Sequence, residues 1–293
     1  MFQLRGLSGA ADECPLPAGR AQGYRFRAYA ERLRACRRTH PDRGDGKLPA
    51  GGRLDPGARC IETLYGRYRG HSTGGIRLMD LRRMRILVSN DDGINAPGIK
   101  VLEKIAKKLS NDVWVVAPES EQSASGHSLT LTLPLRVRRI SRRKFAVNGT
   151  PTDSVLLGVQ NIITGKRPDL VLSGVNAGGN LGEDVTYSGT VAAAMEGALL
   201  GIPSIALSQV RVYGENVRWG ASEHHAEGVI RKLASEEWPR NVLINVNFPD
   251  LPPGDVGPAE ITVQGRRKIG DAVTSGRDPR GHDYVWIGTD RDE

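Results

Sequence analysis

The chain has 293 residues, 39% hydrophobic and 25% charged, with 36 Gly and 17 Pro, a make-up that excludes a peptide-sized scaffold, a collagenous chain and a wholly disordered one. No run of about 18 uninterrupted apolar residues occurs, so a single-helix membrane span is excluded as well. The formal charge of +8 is lopsided: residues 1–83 carry 17 Lys and Arg against 8 Asp and Glu, whereas residues 84–293 carry 24 against 25.

In chain order, residues 1–83 come first, with 16 Arg, one Lys, no Val and no sustained period of 2 or 3.6. Residues 24–38 have the composition of a short basic helix, but arginines on all faces leave no apolar stripe. A secretory signal would need an apolar central region, which is missing, and eight acidic residues argue against an organellar transit peptide. The segment reads as a basic, disordered extension. Two roles stay open for it: an arm that binds polyanions, or a stretch without function, translated from a start codon upstream of Met84. Cys14, Cys36 and Cys60 all lie in it, so residues 84–293 hold neither a disulfide nor a thiolate metal site. A reducing cytoplasm is the expected location.

From Met84 the pattern becomes regular. Residues 85–89 (RILVS), 113–117 (VWVVA), 169–173 (DLVLS), 204–208 (SIALS) and 242–246 (VLINV) are short apolar runs suited to a sheet buried on both faces. Between them, 97–109 predicts a helix, with Ile99, Leu102, Ile105, Ala106 and Leu109 on one face, lysines opposite, and Pro97 at the first position, where its missing N–H costs nothing. A second helix opens at Thr150-Pro151-Thr152-Asp153, with Thr150 as N-cap and Asp153 as a short capping-box partner, and runs toward Gly165. A third spans 190–200, capped by Ser188 or Gly189 and stopped by Gly201. Arg136, Arg138, Arg139, Arg142, Arg143 and Lys144 read as the solvated face of a hairpin. Residues 261–264 and 284–287 read as strands joined by a polar stretch containing Asp278-Pro279-Arg280-Gly281. Strands alternating with helices predict an α/β domain, doubly wound and Rossmann-like, with a mostly parallel sheet and a strand-rich excursion near its C-terminal end.

In such a sheet ligands bind beyond the carboxyl ends of the strands. The loops there are polar: Ser89-Asn90-Asp91-Asp92-Gly93, then Pro118 to Ser123, then Gly174 to Asn180. Asp91 and Asp92 are adjacent carboxylates that repel one another, and two readings are open. A divalent cation lets both stay ionised; alternatively one caps the helix beginning at Pro97 and the other is solvated. With no His or Cys in these loops, a metal would be held by carboxylate, hydroxyl and amide oxygens, which suits Mg2+ or Mn2+ and disfavours zinc. Ser188-Gly189-Thr190 opens the third helix behind a Gly- and Asn-rich loop; it is either an N-cap alone or a cradle for phosphate. His127 reads as a surface residue near Ser123. His224 and His225, as sequence neighbours, do not make a joint metal site.

Residues 84–98 (MRILVSNDDGINAPG), 115–118 (VVAP) with Ser123, 148–153 (NGTPTD), 173–184 (SGVNAGGNLGED), 187–197 (YSGTVAAAMEG) and 278–281 (DPRG) with 284–287 (YVWI) closely resemble the SurE family of stationary-phase survival proteins. The match covers essentially all of 84–293 and none of 1–83. The resemblance implies a metal-dependent 5'/3'-nucleotidase that hydrolyses nucleoside monophosphates, with a side activity on short polyphosphate in some members. It further implies that one divalent ion is held by Asp91, Asp92, Ser123 and Asn176, with the two aspartates also catalytic. Asn90, Asn180, Ser188, Gly189 and Thr190 are then the candidates for holding the phosphate. The rival readings are a nucleotide sensor without turnover and a polyanion-binding protein acting through the basic extension; no membrane or nucleic-acid partner is expected of 84–293. Family chains continue past the position of Glu293 with a tail engaged in subunit contacts. A homodimer or tetramer is therefore the family expectation, and weak self-association is expected of a chain ending here.

Overall fold

Both faces of the apolar runs are covered, and this makes them strands of one buried sheet. In Arg85–Ser89 (β3), Ile86 and Val88 pack into one hydrophobic cluster and Leu87 into another, so successive side chains point to opposite helical layers. A computed structural model of the chain describes residues 80–212, 214–238, 241–266 and 273–287, with the short strands Phe2–Gly6 (β1) and Ile76–Arg77 (β2). Expectations for the rest of 1–83, the three cysteines among them, fall outside the described residues.

Among the described residues nine strands form the main sheet, in the order β11-β1-β10-β8-β7-β3-β4-β6-β5. The remaining members are Asp112–Pro118 (β4), Val137–Ser141 (β5), Lys144–Val147 (β6), Leu170–Ala177 (β7), Ser204–Gln209 (β8), Leu243–Phe248 (β10) and Val256–Ile261 (β11). From β1 to β6 all neighbours are parallel, and antiparallel pairs occur only at the two edges, β5 on β6 and β11 on β1. Glu237–Trp238 (β9) pairs apart from this sheet with β2.

Helices Pro97–Leu109 (α1) and Gly220–Ser235 (α5) cover one face, sharing a cluster with Ile86, Val88, Leu170 and Leu172. Pro151–Leu157 (α2) and Gly189–Leu199 (α4) lie on the other, where Val155 and Ala193 meet Leu87, Val116 and Val171. The short helix Asp184–Tyr187 (α3) leads into α4. Helices on both faces of a parallel sheet make the domain doubly wound, as expected. No helix among the described residues is long and apolar enough to cross a membrane.

The helix boundaries follow local chemistry. α1 spans 97–109, and its buried residues include Ile99, Leu102, Ile105 and Leu109. The capping box at α2 is formed in full, Thr150 accepting from the Asp153 N–H and Asp153 from the Thr150 N–H. The α-helix stops at Leu157 and passes into a wider turn over Gly158–Ile162, short of the expected end at Gly165. Ser188 caps α4, accepting from the Val191 N–H. Asp153 also accepts from the N–H and hydroxyl of Thr130, at 2.9 and 2.7 Å, and so ties the segment after Ser123 to the helix. Asp153→Ala leaves three part-buried donors on Thr130 and Thr150 without their partner and is expected to cost about 2–4 kcal/mol of stability, read as a lowered denaturation midpoint.

Two expectations are corrected. The strand near 261–264 is Val256–Ile261, and residues 262–266 continue without regular structure. The partner of Asp283–Ile287 (β13) is Val273–Arg277 (β12), and the two form a hairpin of their own around residues 278–281. The sequence VTSGR of β12 has one large apolar residue, so it gives no hydrophobic alternation to read. The turn is held by the Asp278 carboxylate, which accepts from the N–H groups of Arg280 and His282. The basic hairpin β5–β6 forms as expected, with β5 exposed along its length, and it stands at the sheet edge.

Candidate functional site

Parallel strands in register bring their carboxyl ends to one level: Ser89 of β3 lies opposite Ser173 of β7, and Val88 opposite Val115 of β4. The three following loops are stitched together by backbone bonds. Gln122 donates to the Asp91 carbonyl at 2.8 Å, Ile94 to Pro118 at 2.8 Å, and Gly126 to Tyr187 at 3.2 Å. α1 begins so close to β7 that a Cβ at Gly98 would stand 1.9 Å from the Val175 carbonyl oxygen. Above these strand ends lies a cavity of about 1130 Å3, whose wall includes Asp91, Asp92, Ser123, Asn176, Asn180 and Ser188.

Six of the nine residues singled out in the sequence therefore share one cavity wall. Asp91 is buried, and one of its oxygens accepts the hydroxyl of Thr190. Asp92 Oδ2 is buried without a hydrogen-bond partner. Ser123 Oγ donates to Glu121 Oε1 at 2.7 Å. Asn176 donates through Nδ2 to the Gly178 carbonyl at 2.9 Å, which leaves its amide oxygen for another contact. The other three do not line the cavity. Asn90 is fully buried and donates to the Gly93 carbonyl. Gly189 packs on Asp91, where a Cβ would meet the Asp91 Cβ at 2.6 Å. Thr190 faces Asp91 from α4 and steadies that carboxylate.

The electrostatics are those of two crowded acids. Burial raises the pKa of Asp91, opposed by its hydrogen bond from Thr190. Burial, followed by the charge of Asp91, pushes Asp92 up to about 7 from 3.8. The folded chain therefore keeps a proton on Asp92 that the unfolded chain has already shed. Without a counter-ion, stability is greatest at the acid end of that interval and declines as pH rises through about 7. Melting in a chelator across pH 4.5 to 8 is expected to show this decline, on the order of 1–4 kcal/mol in total, and Asp92→Asn is expected to flatten it.

These features fit a hard cation. An orphaned carboxylate oxygen, a second carboxylate, a hydroxyl and a free amide oxygen around one cavity match the oxygen donors that Mg2+ or Mn2+ prefers. Among the described residues no group of three or more His, Cys, Asp or Glu is gathered, so a nitrogen- or sulfur-rich centre has no counterpart there. His127 Nε2 lies 3.0 Å from Glu196 Oε2, tying the Ser123 loop to α4. The rings of His224 and His225 meet edge to face on α5.

Sequence reasoning missed further wall residues. Glu121 and Arg211 both line the cavity, and each is close enough to act on the charge of Asp92. Arg211 follows β8, whose carboxyl end reaches the same level, and searching that loop by the rule applied to the first three would have found it. Trp219 is a further aromatic in the wall, where it joins Tyr187, which opens the motif at 187–197.

Fold and cavity together define a doubly wound α/β protein with an acidic, oxygen-lined cleft beyond the ends of its parallel strands. Residues 86–271 match the family described as Survival protein SurE. Over 214 residues the chain is 66% identical to the 5'-nucleotidase SurE of Paramagnetospirillum magneticum, covering 73% of this chain and 82% of that one. It is 56% identical over 213 residues to the 5'-nucleotidase SurE of Parvibaculum lavamentivorans, covering 72% and 77%. The crystal structure of the SurE protein from Aquifex aeolicus superposes with a TM-score of 0.62 at 43% identity, covering 70% of this chain and 82% of that one. The chain belongs to the SurE family.

Proposed function

We propose that this chain is a metal-dependent nucleotidase, a phosphoric monoester hydrolase that converts nucleoside monophosphates to nucleoside and phosphate, with short polyphosphate as a secondary substrate. The observation that carries the reading is the buried, unpartnered oxygen of Asp92, beside a second buried acid on the wall of an open cleft. The relatives named as 5'-nucleotidases support the substrate class.

In this reading Asp91, Asp92, Ser123 and Asn176 hold one Mg2+ or Mn2+. Chemistry that such an ion would supply when bound is Lewis acidity toward a phosphoryl oxygen and a lowered pKa for water. Thr190 steadies Asp91 by donating its hydroxyl to one of the carboxylate oxygens. Ser188 stands in the cleft wall at the start of α4, whose helix dipole favours the phosphate dianion. Asn180 presents an amide from the glycine-rich loop, and Arg211 adds a positive charge to the wall, offsetting the anion's approach to the acids. Tyr187 and Trp219 offer flat apolar surface for a nucleobase. Asn90, buried below, holds the first loop in shape through Gly93.

A cytoplasmic location belongs to the same proposal, as does a homodimer or tetramer of the intact family protein. The hairpin β12–β13 exposes Val273, Tyr284, Val285, Trp286 and Ile287, apolar area of the kind a second copy would cover. Continuous phosphate release from 5'- and 3'-monophosphates, followed over many turnovers per chain, tests the assignment. Binding of nucleotide with less than one phosphate released per chain would instead identify a sensor.

A further inference from the structure

The loop that carries Asn180 is held by two asparagines from a distant strand. Asn247 of β10 accepts from the Asn180 N–H at 2.8 Å and donates through Nδ2 to the Asn180 carbonyl at 3.2 Å, gripping both ends of one residue's backbone. Asn245, two positions earlier on the same strand, donates to that carbonyl at 2.9 Å. The Asn180 side chain in turn donates to Ser208 Oγ of β8 at 2.8 Å. All four residues are buried.

Such a cluster is costly unless it serves a purpose. Asn245 and Asn247 sit in the interior of a parallel strand whose alternate residues, Ile244, Val246 and Phe248, pack in the hydrophobic core. An apolar pair at 245 and 247 would avoid burying amides. The loop they grip, residues 178–182, has no regular structure of its own and turns through positive φ at Gly178 and Gly182. Side-chain bonds therefore replace the ladder that a strand or helix would supply, and they converge on Asn180, which with Gly178 and Gly179 lines the wall of the cleft.

We propose that Asn245 and Asn247 are positioning residues that lock Asn180 in place to meet the phosphoryl group. The proposal rests on the nucleotidase reading, in which Asn180 touches the substrate phosphate, and it adds a shell that acts only through Asn180. Preorganised donors stabilise developing charge without reorganising, and misplacement by about 1 Å costs on the order of a hundredfold in rate.

The test uses the full chain and the near-isosteric Asn247→Leu and Asn245→Leu, which keep the core filled, with Asn247→Ser as a milder second change. Hydrogen exchange of residues 178–182 is expected to speed up by about tenfold or more in each while exchange in α1 and β3 stays unchanged, because only the loop's local opening is made easier. Turnover of AMP is expected to fall about 10- to 100-fold with KM within about threefold of the parent, and Asn247→Ser is expected to recover part of the loss. In the Asn180→Ala background the same substitutions should cost little more, since their action passes through the absent side chain.

Unchanged exchange in 178–182, or a kcat loss that is undiminished on Asn180→Ala, overturns the proposal. So does Asn180→Ala at the parental rate, which would strike the positioning role while leaving the nucleotidase reading to stand. If the parent itself does not hydrolyse nucleotide, that reading fails on its own, and the exchange measurement still decides whether the lock exists.

Discussion

Asp91→Asn and Asp92→Asn are each expected to reduce turnover of a nucleoside monophosphate by about a thousandfold or more, while the metal-free chain becomes no less stable at pH 7.5. Both substitutions keep the shape of the side chain and remove one negative charge. For Asp91 the acceptor for the Thr190 hydroxyl survives as an amide oxygen, so α4 stays anchored. For Asp92 the buried, unpartnered oxygen no longer carries charge beside Asp91, and the penalty that raises its pKa disappears. Relief of that penalty is expected to add about 1–4 kcal/mol to the stability of the chelated protein at neutral pH, where the parent must ionise Asp92 at a cost. An ordinary core substitution moves activity and stability down together; here they should move apart. Parental turnover in both variants would remove the acids from the site.

Gly98→Ala is expected to cost about 3 kcal/mol or more and to lower activity with it. The added Cβ would sit 1.9 Å from the Val175 carbonyl oxygen and 3.0 Å from the Trp219 ring. Backbone cannot yield as a flexible side-chain tip does, so α1 must move away from β7. That contact joins two halves of the site: α1 follows the Asp91-Asp92 loop, and Val175 immediately precedes Asn176. Chemical denaturation with parallel AMP hydrolysis reads both effects. A stable, fully active Gly98→Ala would mean that the helix and strand are less closely packed than described.

What was legible in the sequence is what depends on neighbours in the chain. α1 could be read to the residue because Ile99, Leu102, Ile105 and Leu109 repeat on one face against lysines. The α2 cap was legible because Thr150, Pro151 and Asp153 each have a positional preference with a mechanism. α5 was missed: much of its buried face is Ala221, Ala226 and Ala234, too small to contrast with the polar side. Strand β1 was missed as well, since 1–83 carries no period to read. In the site, Asp91, Asp92, Ser123 and Asn176 could be named because they occupy strand-end loops and match a family pattern. The exclusion of Asn90, Gly189 and Thr190 from the cavity wall could not, because burial is decided by packing between loops. The grip of Asn245 and Asn247 on Asn180 spans 65 and 67 residues of sequence, and nothing local announces it.

In the proposed function, the cleft around Asp91 and Asp92 is a metal-dependent phosphomonoesterase site. It is tested most directly by following phosphate release from AMP by the full chain, first as prepared, then after EDTA and removal of the chelate, then on titration with Mn2+ or Mg2+. Phosphate release is expected to fall to background with the metal removed and to return at about one ion per chain, with no return in Asp92→Asn. Hydrolysis that continues unchanged in EDTA, or that Mn2+ restores equally well in Asp92→Asn, would contradict it.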